Sequence, residues 1–146
     1  MFSHKCKYAI RAVIFLATRN KQLTMTSGTE IARVLNTPMA FTVKILQELA
    51  RKKLIHSTKG PKGGFYIDES LKSIPMLSIV KAIDGIGVFH RCGIGLDACS
   101  DEHPCPFHET FKENREKLLA VFSSKTIGDF CIDCFEENYF ITNFIR

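Results

Sequence analysis

The feature that most constrains the fold is a pair of short helical segments joined by a tight turn, in a strongly basic part of the chain. Ser27–Glu30 matches a capping box, which predicts the start of the first helix. Asn36-Thr37-Pro38 then ends that helix and begins a second one, with Thr37 as N-cap and Pro38 at the first helical position. The second helix extends to about Lys53. Two helices in this arrangement predict a helix-turn-helix.

A glycine-rich basic stretch follows the second helix directly. Two β-type segments, 54–58 and 64–67, flank the turn Lys59-Gly60-Pro61-Lys62-Gly63. Glycine allows tight backbone geometry there, and proline pre-sets a turn. A surface hairpin with incidental lysines is one interpretation. Its position directly after the second helix favours the other, the β-hairpin wing of a winged helix.

Helical spacing predicts further helices on both sides of this unit, over residues 8–19, 76–84, 107–122 and 126–137. A second capping box, Thr126 to Asp129, opens the last one. Residues 20–24 are predicted to be a loop, and 85–106 a long structureless one. The fold class is therefore mainly α with a small β-hairpin wing: a winged helix-turn-helix plus a C-terminal dimerisation helix. The predicted buried side of the second helix of the helix-turn-helix consists of Phe41, Ile45, Leu46 and Leu49.

Charge is unevenly distributed along the chain. Up to Lys62 there are 12 Lys and Arg against two Glu, a net charge of +10, whereas the remainder carries −5. A basic N-terminal region predicts a polyanionic partner.

No apolar run reaches the ~18 residues of a membrane span, and the N-terminus lacks signal-peptide features. We therefore expect a cytoplasmic protein, in a compartment that keeps its six cysteines reduced.

Three of those cysteines lie in the long loop, where Cys92, Cys99, Cys105 and His108 form the pattern C-x6-C-x5-C-x2-H. Thiolates and imidazoles are ligands suited to iron–sulfur clusters and zinc. Structural zinc sites usually carry close cysteine pairs, which this loop lacks. The pattern indicates a metal centre with His108 as the leading fourth ligand. Three cysteines without a ligand role are the alternative.

Cys131 and Cys134, in the last predicted helix, allow two interpretations. They could form a redox pair or a second metal site. Alternatively they are packed residues beside Phe130 and Phe135, since free cysteine is among the most buried residue types. We favour packing. Cys6 is isolated in sequence, and we interpret it as structural.

Taken together, these motifs resemble the Rrf-two-type winged-helix regulators, which include IscR-like iron–sulfur regulators and NsrR-like nitric oxide sensors. The resemblance extends from Met1 to about Glu137, and the residues that carry it are Tyr8-Ala9-Ile10-Arg11-Ala12, Lys59-Gly60-Pro61-x-Gly63-Gly64-Phe65, Val80-x-Ala82-Ile83-Asp84 and the three loop cysteines with His108. It implies a non-enzymatic homodimer that binds a palindromic site on double-stranded DNA. It also implies sensing of iron–sulfur supply, nitric oxide or redox state.

The IscR-like branch places cluster ligands at Cys92, Cys99, Cys105 and His108, and a two-iron cluster is favoured over a four-iron one. In the NsrR-like branch an acidic residue near the partner's N-terminus supplies the fourth ligand. The matching position here is Lys7, which does not support that arrangement, and Cys6 and His4 remain minor alternatives.

The helix beginning at Pro38 is expected to enter the major groove by its N-terminal end. The wing is expected to reach the DNA backbone or the minor groove, and the N-terminus to add phosphate contacts. The expected DNA-contacting residues are Ser3, Lys5, Thr37, Ala40, Phe41, Lys44, Lys59 and Lys62, of which Phe41 could instead be core. Dimerisation is expected through Phe111, Leu118 and Phe122, unless that stripe packs within the chain.

One structural domain is expected overall, comprising a DNA-binding region at 1–84, a cluster-binding loop at 85–108 and dimerisation and C-terminal helices at 109–146. Two other functions stay open at this point. One is a winged-helix repressor with a zinc or thiol switch at the same cysteines. The other is a small thiol–disulfide oxidoreductase that uses Cys131 and Cys134.

Overall fold

The computed structural model describes residues 1–19 and 25–136, with side chains up to Cys131. It confirms a mainly helical chain with one two-stranded hairpin. The predicted loop at 20–24 and the end of the chain lie outside the described residues. The elements in order are α1 (His4–Thr18), α2 (Gly28–Leu35), α3 (Met39–Arg51), β1 (His56–Thr58), β2 (Gly64–Tyr66), α4 (Glu69–Lys72), α5 (Met76–Ile83), the 3-10 helix η1 (Ile86–Phe89), α6 (His108–Ser124) and α7 (Ile127–Glu136).

The first helix, α1, is the centre of the fold. It begins at His4, four residues earlier than the spacing predicted, because the Ser3 hydroxyl accepts a hydrogen bond from the Cys6 amide at 3.0 Å. Residues 12–17 are all buried, so apolar side chains surround this half of the helix. Helices α3, α5 and α7 pack around it and form the main core.

The helix-turn-helix is present, but its caps differ from the prediction. The Ser27 hydroxyl caps α2 by accepting from the Glu30 amide, whereas the Glu30 carboxylate pairs with Arg19 instead of completing a capping box. Thr37 does not cap α3: its hydroxyl lies 2.7 Å from that of Thr42. Pro38 occupies the cap position, so α3 begins one residue later, at Met39.

The buried face of α3 differs from the prediction at one position. Thr42, rather than Phe41, joins Ile45, Leu46 and Leu49 on that face, which gives the helical spacing i, i+3, i+4, i+7. Burial of Thr42 is tolerated because its hydroxyl donates to the Pro38 carbonyl at 2.9 Å. Phe41 is 38% exposed, so its assignment to the core is wrong.

The predicted wing is an antiparallel hairpin of two three-residue strands, paired from His56 with Tyr66 to Thr58 with Gly64. Both strands are shorter than expected: Leu54 and Ile55 before β1, and Ile67 after β2, lie buried in the main core. The turn needs glycine at position 60, where φ is +104°.

The C-terminal half of the fold returns to α1. A short helix missed by the sequence analysis, α4, is capped by Asp68. The Thr126–Asp129 capping box is confirmed: the Thr126 amide donates to the Asp129 carboxylate at 2.8 Å, and the Asp129 amide to the Thr126 hydroxyl at 3.2 Å. Helix α7 then packs against α1 and places Ile127 and Cys131 in the main core.

The segment 85–106 is not structureless throughout. It opens with η1, whose Phe89 is buried together with Cys6, Leu77 and Val80 in a small second cluster. Phe89 is the apolar side chain that anchors this segment. The glycines around it led to the prediction of a structureless loop. In the described part of the chain, no helix has the length and hydropathy that crossing a membrane requires.

Candidate metal centre and DNA-binding surface

The three loop cysteines converge, although six and five residues separate them in sequence. The sulfurs of Cys92, Cys99 and Cys105 all lie within 4.8 Å of one another. Those of Cys92 and Cys105 are 3.7 Å apart. All three side chains are half-buried in a loop that is otherwise mostly exposed. The loop therefore offers three soft ligands at one point of the surface.

Backbone amides are directed at these sulfurs. The amides of Leu96 and Ile94 hydrogen-bond to the Cys92 sulfur and lower the pKa of that thiol to about 7. The Cys105 amide acts in the same direction on Cys99, where burial and the neighbouring thiols outweigh it and raise the pKa. Gly95, in the same turn, has φ +79°, a conformation that favours glycine. Hydrogen bonds to sulfur are one means by which proteins stabilise and tune thiolate-bound clusters.

His108 stands at the edge of this group. It begins α6, is buried at 8% exposure, and has Nδ1 3.2 Å from the Cys99 sulfur. Its Nε2 lies 2.9 Å from a carboxylate oxygen of Asp101, which also accepts a 2.7 Å hydrogen bond from Lys112. Lys112 and then His108 hold the pKa of Asp101 below its usual value. His108 therefore faces the thiols with one nitrogen and a carboxylate with the other.

The remaining described cysteines lie apart from this site. Cys6 is buried in the second cluster, where burial and Asp84 raise the pKa of its thiol to about 12. Its packing partners there are Leu77, Val80 and Phe89 rather than the loop cysteines. His4 is exposed at the start of α1, beside Tyr8. Cys131 is 6% exposed and belongs to the main core, in agreement with the packing interpretation, while the side chain of Cys134 lies outside the described residues.

The donor set fits an iron–sulfur cluster. Three thiols and one imidazole nitrogen lie close together, and backbone amides hydrogen-bond to two of the sulfurs. A Cys3His set is also found in structural zinc sites. The donor set therefore fits either kind of metal centre.

The predicted DNA-contacting residues of α3 and the wing lie at the surface. Ala40, Phe41 and Lys44 are exposed on the N-terminal half of α3, and Lys59 and Lys62 on the wing turn. Among the described residues, none of these three lysines pairs with a carboxylate. Lysines at the surface of α3 and of the hairpin turn, without a carboxylate partner among the described residues, are available to phosphates.

Three other predicted contacts already have partners within the chain. Lys5 forms a 2.6 Å ion pair with Glu48 and lowers the pKa of that carboxylate. The Ser3 hydroxyl caps α1 and donates to Asp84 at 2.5 Å. Thr37 is half-buried and bonded to Thr42. Their roles at DNA stay predictions.

Comparison with known proteins decides the family. Residues 2–133 match a family model described as "Rrf2: Iron-dependent Transcriptional regulator". The chain belongs to the Rrf2 family. It is 28% identical over 131 residues to an HTH-type transcriptional regulator of Aquifex aeolicus, covering 88% of this chain and 90% of that relative. It is also 22% identical over 125 residues to the HTH-type transcriptional regulator IscR of Klebsiella pneumoniae, covering 86% and 76%.

A solved structure supports the fold of this Rrf2 member. CymR, the global cysteine regulator of B. subtilis, superposes with a TM-score of 0.71 at 22% identity, covering 90% of this chain and 96% of CymR. The winged-helix architecture is thereby shown. Transcriptional regulation follows from the family itself.

The predicted dimerisation residues of this Rrf2 protein lie on α6, which of its seventeen residues buries only His108. Leu118 and Phe122 are half-buried against the second cluster. This agrees with the alternative interpretation, in which the stripe packs within the chain. Phe111 remains exposed at 36%, with its ring so close to Gly93 that a Cβ there would lie 2.6 Å from it. Val121, which the stripe omits, is also exposed.

Sequence reasoning missed several residues that shape the site of this Rrf2 chain. Asp101 contacts both His108 and Lys112, yet charged residues in an exposed loop and helix give no recognisable signal. Phe2 packs against Phe89 and Phe122, and thereby joins the N-terminus to η1 and α6. An aromatic residue just before a helix N-cap could have suggested such an anchor.

Proposed function

We propose that the protein is a homodimeric, DNA-binding transcriptional regulator whose DNA affinity depends on an iron–sulfur cluster held by Cys92, Cys99, Cys105 and His108. One observation carries the proposal: three sulfurs separated in sequence lie within 4.8 Å of one another, with an imidazole nitrogen 3.2 Å from one of them. Membership of a family of iron-dependent regulators supports it.

The chemistry of the loop favours a cluster that responds to conditions. When bound, an iron–sulfur cluster supplies reversible one-electron chemistry and sensitivity to oxidants, nitric oxide and iron supply. The three cysteines that would hold it lie in an exposed loop, open to small molecules. We favour two irons over four, since histidine ligation is known from two-iron Rieske centres, where it raises the reduction potential.

For DNA binding we propose that the N-terminal end of α3 enters the major groove and that Lys59 and Lys62 contact the backbone. The exposed positions of Phe41 and Lys44 support this docking. In this arrangement Ser3 and Lys5 add phosphate contacts, and Lys5 exchanges its ion pair with Glu48 for one with DNA. Thr37 and Ala40 lie at the approaching end of the helix.

We propose a two-fold dimer through α6, because this long helix buries few of its side chains against the rest of the chain and exposes Phe111 and Val121. A two-fold axis would place two α3 helices about 34–36 Å apart, one turn of a palindromic site. Leu118 and Phe122 would contribute their outer faces. Sedimentation of wild type and Val121→Glu tests this arrangement, since Val121 is exposed and its replacement leaves the second cluster intact. A wild-type monomer at micromolar concentration would contradict it.

The proposed sensor and DNA-binding unit are connected through the N-terminus. Phe2 contacts Phe89, three residues before Cys92, and the Ser3 amide donates to Asp84 at 2.8 Å. Ser3 also caps α1, the helix on which α3 packs. A change in the order of the cysteine loop would therefore be transmitted to the first turn of α1. Coupling energies between two sites of this kind are typically about 1–3 kcal/mol.

The test is a DNA-binding isotherm at one fixed salt concentration, using duplexes that the protein itself selects from a random-sequence pool. Anaerobically purified holoprotein, apoprotein and Cys105→Ala are compared. We expect a brown holoprotein with iron and sulfide, and a 5–150-fold difference in affinity or site preference between holo and apo forms. Identical curves on every selected duplex would mean that the metal centre does not regulate DNA binding.

A thiol switch is the second candidate function. The 3.7 Å separation of the Cys92 and Cys105 sulfurs, together with the lowered pKa of Cys92, suits oxidation of two thiols to one disulfide, with two electrons and two protons passing to a peroxide oxidant. CymR is described as a regulator of cysteine, and a similar fold supports this candidate. Peroxide treatment of iron-free protein, followed by peptide mass analysis, would detect the Cys92–Cys105 linkage. Zinc bound to a colourless protein would instead favour a zinc site.

A further inference from the structure

The acidic residue beside His108 makes a contact that the ligand pattern does not account for. Asp101 lies seven residues before His108 and accepts a hydrogen bond from it at 2.9 Å. The same carboxylate oxygen accepts from Lys112 at 2.7 Å. Lys112 is four residues after His108 and so lies on the same face of α6. An exposed carboxylate is thus fixed over one edge of a buried imidazole.

This arrangement determines which nitrogen of His108 faces the thiols. An ionised carboxylate can only accept hydrogen bonds, so the proton of a neutral imidazole lies on Nε2 and is donated to Asp101. The lone pair then lies on Nδ1, the atom that stands 3.2 Å from the Cys99 sulfur. The His108 amide donates to the Cys105 carbonyl at 2.9 Å and fixes the backbone at this point. Histidines that bind metals commonly donate their other N–H to a carboxylate.

We propose that Asp101, held in place by Lys112, is a positioning residue that keeps His108 in the Nε2–H form and directs Nδ1 towards the three thiols. The inference rests on the proposed cluster site and adds to it a partner for the histidine ligand. It concerns these two residues rather than the loop's charge as a whole. Asp97, in the same exposed loop, forms no ion pair among the described residues and serves as the matched control.

The first experiment uses the apoprotein, so its outcome is independent of whether a cluster binds. Nitrogen-15 NMR of the histidine side chains should show His108 protonated on Nε2, with a proton protected from exchange with water. Asp101→Ala should abolish that protection, and Asp97→Ala should leave it unchanged. Protonation of His108 on Nδ1 in the wild type would overturn the proposal.

The second experiment measures how long the reconstituted chromophore survives a chelator. Loss of a carboxylate partner of a metal-binding histidine typically costs 10–100-fold in affinity. We therefore expect Asp101→Ala to lose its chromophore roughly ten times faster than wild type, Lys112→Met to lose it less markedly faster, and Asp97→Ala to match wild type. In a His108→Ala background, Asp101→Ala should have no further effect, because its influence passes through the histidine.

The outcomes separate this inference from the proposed function. A wild-type protein that never acquires iron and sulfide overturns the cluster proposal, while the NMR result still decides the role of Asp101. A chromophore that survives equally long in wild type and Asp101→Ala overturns the positioning role alone. Equal acceleration by Asp101→Ala with and without His108 also overturns it, since a general effect on the loop would not depend on the histidine.

Discussion

The cysteine loop (residues 90–107) and the proposed DNA-binding unit (α1 to α5 with the hairpin) are stabilised in different ways. In the DNA-binding unit, six consecutive residues of α1 are buried, and α3 aligns four side chains on the same core. From His90 to Phe107 of the loop, by contrast, no residue is buried, and Ile94 and Leu96 are about half exposed. Apolar burial organises the first region. Thiols, backbone amides and a few hydrogen bonds organise the second.

The difference shows where a response to conditions can be located in a small regulator. A packed helical unit gains most of its stability from the burial of apolar side chains. A loop with little buried apolar surface has low local stability, so ligand binding can contribute a large part of its order. Phe2, Ser3 and Asp84 connect the two regions.

The largest expected effect is complete loss of the chromophore when a loop thiol is removed. Cys99→Ala and Cys105→Ala should yield colourless protein with little iron or sulfide after anaerobic reconstitution, whereas His108→Ala should keep a weaker, spectrally altered chromophore on three thiols. Cys6→Ala is the control, since Cys6 is a buried residue of the second cluster. A brown Cys105→Ala protein with full iron content would contradict the ligand assignment.

The second prediction compares thiol reactivity in the two regions of the apoprotein. The pKa of Cys92 is lowered to about 7 and that of Cys6 raised to about 12, so Cys92 is half ionised at pH 7 while Cys6 is almost wholly protonated and buried. Alkylation of Cys92 by iodoacetamide should rise with pH around a midpoint near 7, and Cys6 should remain unmodified across that range. Peptide mass spectrometry measures both; a Cys92 midpoint above 8.5 would show that the amides do not act on it.

These contrasts also explain what the sequence could and could not predict. Apolar spacing and capping motifs located every described helix longer than four residues, and glycine and proline located the wing. Apolar spacing erred at one position, Phe41, since a satisfied Thr42 hydroxyl can occupy a core position. Soft ligands at the loop-to-helix junction indicated the metal centre. The contacts of Asp101 could not be predicted, because they depend on how the loop returns to α6.

The third prediction concerns stability. Leu46→Ala in α3 removes a fully buried side chain and should lower the free energy of unfolding by about 2–5 kcal/mol. Leu96→Ala in the loop changes a side chain of comparable size that is half exposed, and should stay within about 0.5 kcal/mol. Urea denaturation of the apoproteins checks both. Equal destabilisation would mean that Leu96 contributes to packing despite its exposure.

The fourth prediction addresses the connection between the two regions. Phe2→Ala removes the ring that joins Phe89 to the start of α1, and should bring the DNA affinities of holo and apo protein closer by part of the coupling of about 1–3 kcal/mol. Phe107→Ala is the control, because this exposed ring lies beside the cysteines but contacts Phe111 instead of the N-terminus. If both variants retain the wild-type ratio of affinities, coupling does not pass through Phe2.

The smallest expected effects concern single lysines of the DNA-binding unit. Lys44 and Lys62 are exposed and, among the described residues, have no carboxylate partner, whereas Lys5 is paired with Glu48. Each phosphate contact releases about one counterion, so Lys62→Ala and Lys44→Ala should each reduce the slope of log affinity against log salt by about one unit. Lys5→Ala should change it less, because an ion pair must first be given up. Lys117→Ala, on exposed α6, controls for net charge.

Fluorescence anisotropy titrations at several salt concentrations measure these slopes on one duplex. A Lys62 contact with backbone phosphates should weaken binding equally on specific and scrambled duplexes, since phosphates carry no sequence information. A Lys44 contact with a base edge should weaken the specific duplex more. If Lys62→Ala leaves both affinity and salt slope unchanged, Lys62 does not contact DNA, and the proposed docking of the wing is wrong.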